Sequence, residues 1–129
     1  MKLCLDTNAY SAFKNGNHNV MNILENADEV FVPVTVLGEL YSGFQIGSLT
    51  EKNLLELDEF LSKPGISIID IDKDISFRYG FIVKDLRKLG TPIPTNDIWI
   101  AASNMEKGAL LLSRDKHFTN IPGLMVLDF

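Results

Sequence analysis

The chain has 129 residues, 46% hydrophobic and 22% charged, which is the balance of a globular protein that buries roughly two-thirds of its unfolded surface. That balance excludes disorder, and no apolar run approaches the ~18 residues a membrane-spanning helix needs. The net charge of −5, from 12 basic and 17 acidic residues, disfavours nucleic-acid binding unless cations offset part of it, because Lys and Arg make phosphate contacts.

In chain order, Lys2 to Asp6 predicts a short buried strand ending in a carboxylate. Cys4, the only cysteine, reads there as a buried, inert thiol with no internal disulfide partner, compatible with a reducing cytosol. The few apolar residues before Asp6 fall far short of a signal-peptide core, so a cytoplasmic location is expected. Thr7 to Lys14 and Val20 to Asn26 carry weaker helical patterns. Glu29 to Pro33 predicts a second strand, stopped by proline. Thr35 to Phe44 predicts a helix in spite of Gly38 and Gly43, and Leu54, Leu57 and Leu61 mark another. Ile66 to Ile69, after the Lys63-Pro64-Gly65 breaker, predicts a third strand.

Ile75, Tyr79, Ile82, Leu86 and Leu89 then form one face of a helix beginning near Asp72 and stopping at Gly90. Thr95 reads as the N-cap of a further helix through Ile98, Ala101, Ala102 and Met105 to Gly108. Ala109 to Ser113 predicts a fourth strand and Leu124 to Leu127 a fifth. No repeat, low-complexity tract or linker interrupts the pattern, so residues 1–129 are expected to form one domain. Buried strands alternating with helices imply an α/β fold, a parallel sheet covered on both faces. Ligands of such sheets bind outside the carboxyl ends of the strands.

Four acids fall at that edge. Asp6 ends the first strand, and Asp115 lies just past the fourth. Asp97 sits in a helical first turn, and Glu39 lies near the start of the helix after the second strand. Each has a plain structural alternative. Asp6 could cap a helix, Asp97 could match a helix dipole, Glu39 could face solvent, and Asp115 could be a solvated loop residue beside Arg114 and Lys116. Converged, they would repel one another unless protonated or bridged by cations. Carboxylate oxygens suit Mg²⁺ or Mn²⁺, and no His or Cys is expected in position to make a zinc site. Setting these four acids aside leaves a nearly neutral remainder, so the acidity is compatible with RNA provided a metal is bound.

Five segments in order carry a resemblance to the PIN-domain family, and in particular to VapC-type toxins. They are Leu5-Asp6-Thr7-Asn8, Val34 to Leu40, Gly90 to Pro94, Asn96 to Ala102, and Leu112 to Phe118. The resemblance implies a PIN-like fold, a five-stranded parallel sheet between helices. It implies Asp6 and Asp97 as principal metal ligands, with Glu39 and Asp115 completing the pocket directly or through water. Thr7, Asn8 and Ser113 match positions that orient those groups, Ser113 standing where many relatives carry Thr. The implied activity is Mg²⁺-dependent hydrolysis of tRNA or rRNA by metal-activated water, with Mn²⁺ as a substitute, inhibiting translation. The implied partners are a VapB-like antitoxin and a second copy of the chain in a homodimer.

Arg114, Lys116 and the Lys84/Arg87/Lys88 group are candidate phosphate contacts, the last three equally a solvated helix face. Trp99 and Phe118 are candidate base-stacking residues, with core packing the better reading of Trp99. His117 reads as a loop residue or partner contact. The apolar helices near Val36 to Phe44 and Leu54 to Leu61 could line a dimer face or an antitoxin groove, or simply the core. A phosphotransferase with Asp6 as nucleophile is disfavoured by Asn8, where such enzymes place a second acid. A nuclease of RNA processing outside a toxin–antitoxin pair, and a catalytically silent binding module, are the remaining alternatives.

Overall fold

The computed structural model describes residues 1–129. In order they form β1 (Lys2–Leu5), α1 (Thr7–Lys14), α2 (His18–Glu25), β2 (Glu29–Pro33), α3 (Val34–Ile46) and α4 (Thr50–Leu61). There follow β3 (Ile66–Ile69), α5 (Lys73–Leu89), α6 (Thr95–Lys107), β4 (Leu110–Leu112), a 3₁₀ turn (Lys116–Asn120) and β5 (Val126–Leu127). No helix is long and apolar enough to cross a membrane.

The five strands make one sheet in the order β3-β2-β1-β4-β5, and every pair is parallel. β1 is central, and its Leu3, Cys4 and Leu5 are fully buried. Burial also pushes the Cys4 thiol far above its ordinary pKa, which keeps it protonated and inert. Right-handed crossovers carry α1 to α4 over one face and α5 and α6 over the other. The helix contacts agree: α1 packs on α2 and α3, α3 on α4, and α5 on α6. The core runs through both layers, from Tyr10 and Phe60 on one side to Ile82, Leu86 and Ile98 on the other.

The chain order reverses at β1. Successive strands step outward to β2 and β3, and the chain then returns over the sheet to place β4 on the other side of β1. The crevice at such a reversal, outside the carboxyl ends, is where open α/β sheets bind ligands.

All five expected strands and all six helices are present, with small differences at their ends. α3 starts directly after Pro33 and runs on to Ile46, and α2 starts at His18, where Asn17 accepts the Val20 N–H at 3.1 Å. α5 begins as expected, Asp72 accepting the Ile75 N–H at 2.9 Å, and ends on Gly90 at φ 68°, a left-handed position suited to glycine. Thr95 is not a cap. Pro94 takes that position without a side-chain bond, its rigid backbone supplying the extended entry, and Thr95 is the first helical residue. Trp99 packs on Tyr79 with ring centroids 4.0 Å apart, joining α6 to α5.

Candidate active site

Strand register creates the first contact of the site. Leu5 pairs with Leu112, so the next residues, Asp6 and Ser113, are neighbours although 107 positions apart. The Ser113 hydroxyl donates a short hydrogen bond to Asp6 Oδ2. Asp6 Oδ1 accepts the Ala9 N–H at 2.7 Å and so caps α1. The cap expected as the plain alternative is real, and it also fixes the plane of the carboxylate. Ser113 Oγ in turn accepts the Asp115 N–H at 3.0 Å.

Asp115 and Asp97 lie on the other side of that chain of bonds. Asp115 leads into the 3₁₀ turn, its Oδ1 accepting the His117 N–H at 2.9 Å. Asp97 occupies the first turn of α6, where the uncapped N–H groups after Pro94 favour an anion. His117 Nδ1 lies 2.9 Å from Asp97 Oδ2 and 3.3 Å from Asp115 Oδ1. Glu39, on the second turn of α3, is tied to the first turn of α1 by the Thr7 hydroxyl, which donates to Oε1 at 2.6 Å.

All four expected acids therefore stand at the carboxyl edge, three of them in one bonded chain and Glu39 beside them. One set of donor atoms is tight enough to share an ion: oxygens of Asp97 and Asp115 and a nitrogen of His117, all within 4.8 Å of one another. No histidine is expected in position to make a zinc site, yet His117 stands here with one nitrogen beside two carboxylate oxygens. The usable signal was the two-residue spacing from Asp115 across a tight turn. Thr7 and Ser113 make the orienting bonds expected of them, whereas Asn8 is exposed and outside the network. Arg114 is engaged elsewhere, its guanidinium 4.1 Å from the centre of the Phe129 ring and donating to the Phe129 carbonyl at 3.0 Å. Lys116 is exposed. Phe118 has no face to offer a base: it is 1% exposed and part of the core.

Next to Glu39 runs an open groove lined only by non-hydrophobic residues: Thr35, Gly38, Glu39, Ser42 and Asn96. Four of these recur along one side of α3 at helical spacing, a polar stripe legible in the sequence.

The electrostatics are those of acids crowded together without a cation. Burial raises the pKa of Asp6 above the ordinary carboxylate value, with Asp115 and Asp97 adding to the rise and the bonds from Ser113 and Ala9 opposing it. Asp97 is raised as well, first by burial and then by Asp115 and Glu39, against the stabilising contact with His117. An acid whose folded pKa lies above its unfolded value costs stability once ionised. The cost is full above the folded pKa, shrinks as pH falls through it, and vanishes below the unfolded value of 3.8. In EDTA, Asp97→Asn should therefore melt above the wild type at pH 7 to 8, with the gap closing on acidification. Paired thermal melts across that range check it.

The PIN domain family matches residues 3–124 of the chain. Ribonuclease VapC2 of Haemophilus influenzae is 30% identical over 117 residues, covering 89% of this chain and 87% of that protein. The tRNA(fMet)-specific endonuclease VapC of Salmonella typhimurium is 26% identical over 100% of this chain and 98% of its own. Among solved structures, VapBC2 from Rickettsia felis, bound to a DNA fragment from its promoter, superposes with a TM-score of 0.90 at 30% identity. It covers 100% of this chain and 99% of that one.

Proposed function

The chain belongs to the PIN-domain family, and from that premise we propose that it is a Mg²⁺-dependent endoribonuclease, the toxin of a type II toxin–antitoxin pair. The observation that carries the reading is the convergence of Asp6, Asp97, Asp115 and Glu39 at the reversal point of the sheet, with two acids raised in pKa by crowding and burial. Its relatives' names support ribonuclease activity, and the VapBC neighbour supports a VapB-like antitoxin as partner. Residues 1–129 act as one domain in the cytosol, and transfer RNA or ribosomal RNA is the substrate class.

The donor set fits hard divalent cations, because oxygen ligands predominate and each acid keeps lone pairs beyond its protein hydrogen bonds. Such cations, when bound, would supply an activated water and would offset charge developing on the phosphodiester. Asp6, Asp97 and Asp115 would hold them, with Glu39 at the margin nearer the polar groove. Ser113 keeps Asp6 and Asp115 in register, and Thr7 does the same for Glu39. No nucleophilic side chain is needed for this reaction. The groove of Thr35, Ser42 and Asn96 gives the RNA backbone a polar approach. Arg114 and Lys116 both flank Asp115 and are exposed, but Arg114 is held against Phe129, which leaves Lys116 the freer cation.

Apolar surface is available for protein partners. Ile46, Leu49 and Leu55 stand 85%, 57% and 65% exposed around the α3–α4 connection, and Phe77 and Phe81 form an exposed pair on α5. Patches of this kind suit an antitoxin segment and a second copy of the chain.

The test is cleavage of total tRNA and rRNA by the purified protein with Mg²⁺ or EDTA, alongside growth on induction. Cleavage with Mg²⁺ and growth arrest support the reading. Cleavage without arrest moves the chain to RNA processing, and a folded protein that cuts nothing is a binding module instead. Ser113→Ala should weaken cation affinity and cleavage by about 10- to 100-fold, as loss of an orienting partner does. Ser113→Thr should retain both, since the hydroxyl survives; calorimetric titration and initial rates separate the two.

A further inference from the structure

We propose that His117 is a direct nitrogen ligand to the cation shared by Asp97 and Asp115, so that this position prefers a first-row transition ion to Mg²⁺. The inference deepens the proposed function and rests on it for the presence of a cation.

The geometry comes first. Two ligands in adjacent octahedral positions, each about 2.1 Å from the ion, stand about 3.0 Å apart. His117 Nδ1 lies 2.9 Å from one carboxylate oxygen and 3.3 Å from the other, close to that spacing, and all three donor atoms lie within 4.8 Å of one another. The ring is presented by a short, anchored segment. The turn that carries it is capped by Asp115 through the His117 N–H, and pinned underneath by buried Phe118. His117 itself is half exposed, so rotation of the ring onto an ion meets little obstruction. Without a cation the Nδ1–H donates to Asp97 Oδ2; with its proton on Nε2 instead, the imidazole offers the Nδ1 lone pair to an ion held by the carboxylates.

The chemistry follows from the donor types. Mg²⁺ takes oxygen ligands and gives up water reluctantly, whereas imidazole nitrogen binds first-row transition ions well. A face of two carboxylate oxygens and one imidazole nitrogen therefore separates these ions where an all-carboxylate site would not.

The experiment loads tag-free protein with Mn²⁺ and reads nitrogen coupling by pulsed electron paramagnetic resonance. Hyperfine coupling from a bound ¹⁴N is expected, absent in His117→Gln and present in His18→Gln, which removes the only other histidine. Wild-type protein grown with ¹⁵N-histidine should replace the ¹⁴N pattern with that of ¹⁵N, a readout that needs no variant to fold. By titration, His117→Gln should lower Mn²⁺ affinity on the order of tenfold while Mg²⁺ affinity changes less. Mn²⁺ bound without nitrogen coupling overturns the role of His117 and leaves the carboxylate site standing. Coupling that persists in His117→Gln also overturns it. Failure to bind Mn²⁺ or Mg²⁺ at all overturns both the inference and the metal-dependent reading beneath it.

Discussion

Asp6→Asn and Asp97→Asn should each reduce RNA cleavage by about 10³-fold or more at saturating Mg²⁺, a loss of roughly 4 kcal/mol of transition-state stabilisation. The substitution is close to isosteric. In Asp6→Asn the amide oxygen still accepts the Ala9 N–H, so α1 keeps its cap, and the amide nitrogen can donate to Ser113 Oγ where the hydroxyl once donated to Asp6. The loss is therefore one of charge and ligand capacity, with the fold retained. Because the acids hold cations as a unit, the double variant should be little worse than the weaker single one. Single-turnover rates beside far-ultraviolet circular dichroism make the comparison. Activity within tenfold of wild type in either variant, or cleavage that survives EDTA, would remove the carboxylates from the reaction.

Phe118→Ala should cost about 3 to 5 kcal/mol of stability, a large share of the 5 to 15 kcal/mol typical of a domain. Phe118 is among the largest fully buried side chains, and the site depends on it directly. It anchors the 3₁₀ turn whose neighbouring residues include Asp115 and His117, and that turn packs on α6, which carries Asp97. Removing the ring leaves a cavity beneath two of the cation donors. Urea denaturation should show the lower midpoint, and cation affinity should fall even where the variant remains folded. A base-stacking role would show the opposite pattern: unchanged stability and a raised KM alone.

The strands and helices were legible because their signals are local. β1 and β4 are short apolar runs, Leu3 to Leu5 and Leu110 to Leu112, that stop at the polar residues Asp6 and Ser113, and α5 announces both ends, Asp72 as a cap and Gly90 as a left-handed stop. Thr95 misled because capping depends on backbone angles as well as on residue type, and Pro94 already supplies the extended entry. The placement of Asp6 at a strand end was legible too, as was that of Asp115 just past one. Their link through Ser113 was not, since it depends on the register of strands far apart in the chain. The same limit hid the Thr7–Glu39 bond and the capture of Arg114 by Phe129. His117 reads from the sequence as a loop residue or partner contact, while a tight turn after Asp115 places its ring beside the carboxylates.

The bond between Asp6 and Ser113 closes a loop of 107 residues. β1 can pair with β2 as soon as the first 33 residues are made, but its other edge stays open until β4 emerges near the end of synthesis. A polypeptide still short of Asp115 carries Asp6, Glu39 and Asp97 but lacks the fourth acid, and so cannot complete the cluster. For a protein that cuts RNA, late closure of the sheet is a safeguard written into strand order: a chain stopped before Asp115 has an incomplete site.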